Sequence, residues 1–210
     1  MCGRYALHSQ PEVAALAFGL SAVPQYRPRY NIAPTSQVLI VKNEGPALAR
    51  WGLIPRWAKE LSSGAKLNNA RAETVAEKPS FRDAYRKRRC LIPANGFYEW
   101  KAEAGRKQPY YVYPSGSDLF AFAGLWESWN GPDGPLESCV IVTTEANAIM
   151  HAVHERMPVI LAAADYPGWL AGGEGLLRPC PDTEIEIRKV SPAVNNARNE
   201  SPSLIEPSDD

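Results

Sequence analysis

No stretch of this 210-residue chain approaches the ~18 consecutive apolar residues that a membrane-spanning helix needs. Residues 1–10 also lack the apolar run of a secretory signal, so the protein is expected in the cytoplasm. Cysteine is sparse: four residues, at positions 2, 90, 139 and 180, with no C-x-x-C pair. That spacing argues against a disulfide framework and leaves free thiols in a reducing compartment. Histidine is scarcer still, three in all, and none stands in H-E-x-x-H order. His151 and His154 have an i, i+3 spacing that could chelate a metal, but no zinc-type Cys or carboxylate pattern accompanies them. Neither a metal nor another cofactor is expected. Internal repeats and low-complexity linkers are absent too. With 45% hydrophobic residues, the chain is long enough for one sizeable core and reads as one domain.

Net charge is also missing, since 23 Lys+Arg balance 23 Asp+Glu. The zero conceals a polarity. Residues 1–110 carry 18 Lys+Arg against 8 Asp+Glu, a balance of +10, and residues 111–210 carry 5 against 15, a balance of −10. Part of the acidic excess falls in residues 199–210, expected to form a flexible tail after a domain spanning 1–198. The basic half contains Arg86, Lys87, Arg88 and Arg89, with Arg82 one turn earlier. That cluster alone reads as a solvated helix end; the asymmetry of the whole chain points to an anionic partner docking on one face.

Ser9-Gln10-Pro11-Glu12 reads as a capping box opening a helix that Gly19 closes. Ser80 is placed to cap a second helix through Arg88, and Thr144 a third through about His151. Strand-like runs are more numerous: 37–42, 47–51, 90–93, 97–101, 109–113, 119–126, 138–143, 158–161 and 184–190. Turn signals separate them, as at Pro114-Ser115-Gly116. Many strands, few helices and no regular βαβ alternation predict an α+β fold: a single domain with a curved, barrel-like, mixed or antiparallel sheet flanked by a few helices.

Cys2-Gly3 is the most informative dipeptide. Methionine excision requires a small second residue, and removal of Met1 would leave Cys2 with a free α-amine beside its thiol. An α-amine has a reference pKa of ~7.7–8.0 against ~10.4 for lysine, so it is far more often neutral and nucleophilic at pH 7. A 1,2-aminothiol condenses with an aldehyde to an imine, which the thiol then closes to a thiazolidine. The alternative is an ordinary small, buried cysteine. Gly3 permits close approach of a ligand to the backbone.

Three further segments place polar residues in unusual settings. Asn69 and Arg71 lie two apart, on one face if the segment is extended, an amide for an uncharged group and a guanidinium for a phosphate; a helix cap with surface charge is the competing reading. Glu99 stands among Phe97, Tyr98 and Trp100. In a strand, Phe97 and Glu99 share one face and the other two aromatics take the opposite one. A carboxyl desolvated by apolar rings can donate a proton near neutrality, whereas an edge-strand glutamate would be plain surface. Within 151–158, one histidine is a candidate general base or anion-positioning group. Tyr30 beside Arg29, and Trp57 beside Arg56, pair an aromatic with a cation, useful for stacking unpaired bases or equally for loop packing.

Taken together, these segments resemble the SRAP (SOS-response-associated peptidase) family. The resemblance rests on Met-Cys-Gly-Arg-Tyr at 1–5, Arg-Tyr-Asn-Ile-Ala-Pro at 29–34, Trp-Gly-Leu-Ile-Pro at 51–55 and Asn-Ala-Arg-Ala-Glu-Thr at 69–74. It continues with Arg-Arg-Cys-Leu-Ile-Pro-Ala-Asn-Gly-Phe-Tyr-Glu-Trp at 88–100, Phe-Ala-Gly-Leu-Trp at 122–126 and Val-Thr-Thr-Glu-Ala-Asn at 142–147. His-Glu-Arg-Met-Pro at 154–158 and Val-Ser-Pro-Ala-Val-Asn at 190–195 complete it, nearly the whole chain in order.

The resemblance implies a sensor of abasic sites that crosslinks to them and shields single-stranded DNA in the damage response. It implies Cys2 as the crosslinking residue, Asn69 as the holder of the opened sugar, and Glu99 and His154 as proton-handling groups. Arg4, Arg71 and Arg156 would bind DNA, with Asn31, Pro34 and Trp57 along its path. Many relatives have a second aromatic after the tryptophan at 57, where this chain has Ala58, so stacking there is expected to be weaker. Single-stranded DNA containing abasic sites is the implied partner, and replication-fork proteins are candidates for others. A monomer, on the nucleoid when bound to DNA, is expected. Lyase activity and thiol peptidase activity toward Met1 are further implications. Two rivals stay open: an N-terminal-nucleophile amidohydrolase of glutaminase type, which also uses an N-terminal Cys-Gly, and a single-strand-binding module that forms no covalent bond.

Overall fold

Two long strands joined by a tight turn organise the molecule, which the computed structural model describes over residues 2–103 and 105–208. In chain order the strands are β1 (Arg4–Leu7), β2 (Arg29–Ile32), β3 (Gln37–Lys42), β4 (Gly45–Trp51), β5 (Asn69–Arg71), β6 (Arg89–Ala94) and β7 (Gly96–Glu103). They continue as β8 (Arg106–Pro114), β9 (Phe120–Gly131), β10 (Gly134–Glu145), β11 (Arg156–Pro158), β12 (Ile160–Leu161) and β13 (Ile185–Lys189). The helices are short: α1 (Pro11–Ala17), α2 (Arg82–Lys87), α3 (Ala148–His151) and α4 (Tyr166–Leu170).

Strands β10, β4, β3, β6 and β9 pair in that order, and β9 pairs back onto β10, closing a five-stranded barrel. Closure follows from the side-chain period of two. Val38, Ile40, Ala49, Trp51, Cys90, Ile92, Phe122, Cys139 and Ile141 belong to one buried cluster. The alternate residues Val41, Leu91, Ala121, Ala123, Leu125, Val140 and Val142 join a second, which also holds Ala84 of α2 and Trp169 of α4. Burial on both faces is why these strands read as continuous apolar runs. The fold is α+β around a barrel-like sheet, as the strand pattern predicts.

A second sheet, in the order β13-β8-β7-β1-β2, lies against the barrel. Tyr5 of β1 meets Trp51 and Phe122 edge-on, with ring centroids 5.2 Å and 5.8 Å apart. The opposite face of this sheet, with Ala6, Tyr98 and Tyr111, is covered by Val194 and Leu204 from the C-terminal segment. A Cβ at Gly96 would lie 2.4 Å from the Tyr111 ring, so only glycine lets that ring cross β7.

The strand bounds differ from expectation mainly by extension, and three strands were not expected. β1, β2 and β5 are only three or four residues long, held by neighbours rather than by a pattern of their own. Ser9 does not cap α1: its amide and hydroxyl are both bound by the Asn95 side chain, and Gln10 takes the cap position without a side-chain bond. Phe81, not Ser80, precedes α2. Thr144 remains in β10, and Asn147 caps α3 by accepting the Met150 amide at 2.9 Å.

Two further expectations change. Residues 199–208 are not a loose tail: a 3₁₀ turn at Pro202–Ile205 buries Leu204 to 2% exposure, and Pro207 bridges to Val190. Glu200 binds Arg29 and the Tyr30 amide. The basic cluster is also divided. Arg88 pairs with buried Glu127 at 2.7 Å, while Arg89, 7% exposed, lies over the Tyr85 and Trp169 rings and donates to the Gly173 carbonyl. Arg82, Arg86 and Lys87 remain exposed.

Candidate functional site

β5 is too short to persist alone; it runs parallel to β10, with Asn69 opposite Ile141 and Arg71 opposite Thr143. This seat brings Asn69 to the start of the chain, where its amide donates to the Cys2 carbonyl at 2.7 Å. The other amide atom, Oδ1, is buried and accepts no hydrogen bond among the described residues. Cys2 is fully buried. Burial, and then the nearby Glu99 carboxylate, pushes its thiol well above the usual range, so the sulfur is held protonated.

Glu99 is 3% exposed on β7, whose neighbour β1 places Arg4 opposite Tyr98. As expected for a strand, Phe97 faces the barrel cluster and Tyr98 the opposite one. Arg4, Glu99, Trp100, Lys107, His154 and Asn195 line one cleft of about 460 Å³. Arg4 donates to Asn31 Oδ1 at 2.6 Å and to the Val194 carbonyl at 3.0 Å, and burial lowers its pKa. Trp100 donates from Nε1 to Asn195 at 2.6 Å. His154 follows α3, and its Nδ1 accepts the Arg156 amide at 2.9 Å. His151 is exposed at the end of that helix.

Cys2, Asn69, Glu99, His154 and Arg4 therefore converge. The residues expected along a DNA path are more scattered. Arg71 is exposed at the end of β5, and Trp57 is exposed to 66%. Pro34 is half-buried in the turn before Thr35, whose φ of 75° is left-handed. Neither Trp57 nor Pro34 lines the cleft. Ala58 is buried, its carbonyl holding Trp129 Nε1 at 2.7 Å. Asn31, expected along the DNA path, is fully buried, with its amide nitrogen donating to the Asn196 and Asn199 carbonyls at 3.1 Å and 2.9 Å. It anchors the C-terminal segment and Arg4.

Arg156 is half-engaged already. Its two terminal nitrogens bind the Glu73 carboxylate at 2.6 Å and 3.0 Å, and one also donates to the Thr143 carbonyl at 2.8 Å. This bond holds the Glu73 carboxyl below its ordinary pKa, so the pair stays ionised down to the acid edge of the carboxylate range. Sequence reasoning overlooked Lys107, Trp100 and Asn195 as cleft residues. Lys107 had no signal beyond an exposed strand cation, whereas Asn195 ends a motif that carried the family resemblance.

Residues 1–197 match the family described as SOS response associated peptidase (SRAP). The abasic site processing protein YoqW of Bacillus subtilis (strain 168) is 43% identical over 98% of this chain and 99% of its own. The abasic site processing protein HMCES of Mus musculus is 32% identical over 100% of this chain and 76% of its own. Among solved structures, a protein from Bacteroides thetaiotaomicron superposes with a TM-score of 0.88 at 25% identity, covering 99% of this chain and 100% of that one.

Proposed function

Because the chain belongs to the SRAP family, we propose that it processes abasic sites in DNA, capturing them in single strands through a covalent bond to Cys2 once Met1 is removed. The observation that carries this reading is the bond from Asn69 to the Cys2 carbonyl, beside a cleft containing Glu99 and His154. The α-amine of Cys2 would have an ordinary pKa of ~7.7–8.0, far below that of a lysine, and is the amine there suited to attack a carbonyl near neutrality. It attacks the aldehyde carbon of the opened sugar; loss of one water gives an imine. The thiol sulfur then adds to the imine carbon while its proton passes to nitrogen, closing a thiazolidine with no further leaving group.

The order amine first, sulfur second suits a thiol that burial keeps protonated, and it disfavours the glutaminase alternative, which needs the sulfur as first nucleophile. Glu99 and His154 serve proton transfers during ring opening and water loss. Asn69, with a buried oxygen still to satisfy, holds the sugar hydroxyl. Arg4 and Arg71 meet phosphate, as does Arg156 where Glu73 yields it, and Trp57 stacks a base. Strand cleavage by β-elimination and removal of Met1 are subsidiary activities of the same site. A monomer acting on DNA at stalled replication is the physiological setting that fits.

Denaturing electrophoresis with abasic single-stranded DNA tests the reading. Processed wild-type protein is expected to give an adduct that survives denaturation without reductant. Cys2→Ser, which keeps the amine, is expected to give one only when borohydride traps the imine. An equally durable adduct from Cys2→Ser overturns the thiazolidine, and no adduct from either protein overturns aldehyde capture.

A further inference from the structure

Helix α1 leaves two apolar side chains in the open: Val13 is 47% exposed and Leu16 83%. Exposed leucines scattered singly are ordinary, whereas these two border a groove of about 890 Å³. Phe18, Leu119, Tyr166 and Leu176 continue its apolar lining, and Phe18 stacks on Tyr166 with ring centroids 5.4 Å apart. The walls are fixed before anything enters. The Ser115 amide donates to the Glu184 carbonyl at 2.9 Å, joining two of them, and the Asn147 side chain donates to the Cys180 carbonyl at 3.1 Å. Pro114, Pro179 and Pro181 stiffen the same segments.

Charge selects among occupants. Asp118, Asp165 and Glu184 line the groove against one cation, Arg178, which donates to the Gly175 carbonyl at 3.3 Å. Asp118 and Glu184 are exposed. All four belong to the acidic half of the chain, 111–210, so its −10 balance has a concrete face here. Nucleic acid and anionic lipid are repelled by such a rim, while a segment carrying Lys or Arg beside apolar residues is attracted. The groove and the cleft have no lining residue in common. β8 separates them: Lys107 near one end lines the cleft and Pro114 at the other lines the groove, about 23 Å apart at ~3.3 Å per residue.

We infer that this groove docks a peptide segment of a partner protein, one with two or more apolar side chains flanked by lysine or arginine. Val13 and Leu16 supply exposed apolar contact, and Asp118, Asp165 and Glu184 supply the charge. Docking there leaves the cleft open, so partner and DNA are held at opposite ends of β8. The inference stands apart from the abasic-site reading, because none of the residues it uses handles DNA in that reading.

A library of random peptides displayed on phage, selected on the full-length, DNA-free protein, tests it. Enriched peptides are expected to combine apolar residues with Lys or Arg, and synthetic copies to bind more weakly at high salt. Leu16→Asp changes an exposed position and is expected to weaken them roughly tenfold or more, the worth of burying one leucine side chain. Saturation with lesion-free single-stranded DNA should not weaken peptide binding. Failure to enrich any peptide, enrichment of acidic or wholly polar ones, or equal binding to Leu16→Asp and wild type overturns the inference. So does a wild-type dimer that Leu16→Asp dissociates in sedimentation, which would make the groove a contact between two copies of this chain. Should Leu16→Asp fail to fold, the double change Asp118→Lys and Glu184→Lys, both at exposed positions, is read in its place.

Discussion

Burial changes what Glu99 can do. Its carboxyl is 3% exposed, close to the buried Cys2 thiol, and lines the cleft with His154. Glu99→Gln keeps the shape and removes the titrating group. It is expected to slow crosslink formation by ~10²–10⁴-fold, the usual worth of a placed acid or base. Binding to lesion-free single strands should be unchanged, as read by anisotropy beside a gel-based rate. A wild-type rate in this variant would leave Glu99 as packing alone. Cys2 and Glu99 could be singled out in the sequence because one is reactive beside a glycine and the other is polar among aromatics, whereas the roles of Asn69 and His154 came from the family resemblance. Asn31 could not be placed: its motif is polar, yet the C-terminal segment that buries it is more than 160 residues away. Arg156 was expected to bind DNA, and its pairing with Glu73 could not be read because that partner is distant in sequence.

At the scale of elements, the barrel strands were legible and the small connecting ones were not. β3 was expected at its observed bounds, since four consecutive apolar residues, Val38 to Val41, between turn signals have few other fates. β5 has three residues, and its strand character comes wholly from β10. The C-terminal segment was misjudged because acidic composition suggested solvent, whereas one leucine decides its position. Leu204 packs with Val190, Val194, Tyr98 and Tyr111. Leu204→Ala is therefore expected to cost ~2–4 kcal/mol in chemical denaturation. It should also loosen Arg4, which donates to the Val194 carbonyl. A cost below ~0.5 kcal/mol would restore the flexible tail. The second misjudged element is the basic helix end. Glu127 is 4% exposed and faces Arg88, so Glu127→Ala leaves a largely buried guanidinium without its carboxylate. That change should destabilise by ~3–5 kcal/mol.

For the whole molecule, the +10 and −10 halves suggest an electrostatic face, but the structure withdraws several cations from it. Arg88, Arg89, Arg156 and Arg29 are bound to carboxylates, carbonyls or rings. Arg71 stays exposed on the strand that carries Asn69, whereas Arg82, Arg86 and Lys87 are exposed on α2 and line no part of the cleft. A phosphate strand passing Cys2 should then meet Arg71 and not the α2 cluster. For single strands, log K falls against log[salt] with a slope of about −0.7 per phosphate neutralised. Arg71→Ala is therefore expected to weaken binding and flatten that slope by ~0.7, the loss of one phosphate contact. A triple change of Arg82, Arg86 and Lys87 to alanine removes three positive charges from the same half of the chain. Under a diffuse-charge account it should have the larger effect; under a cleft-centred account it should leave the slope nearly unchanged, because charges beyond ~10 Å are screened at 0.1 M salt. Titrating both variants across a salt series separates the two accounts. A flatter slope for the triple variant alone would move the DNA path from β5 to α2, and with it the strand that Asn69 and Cys2 are proposed to hold.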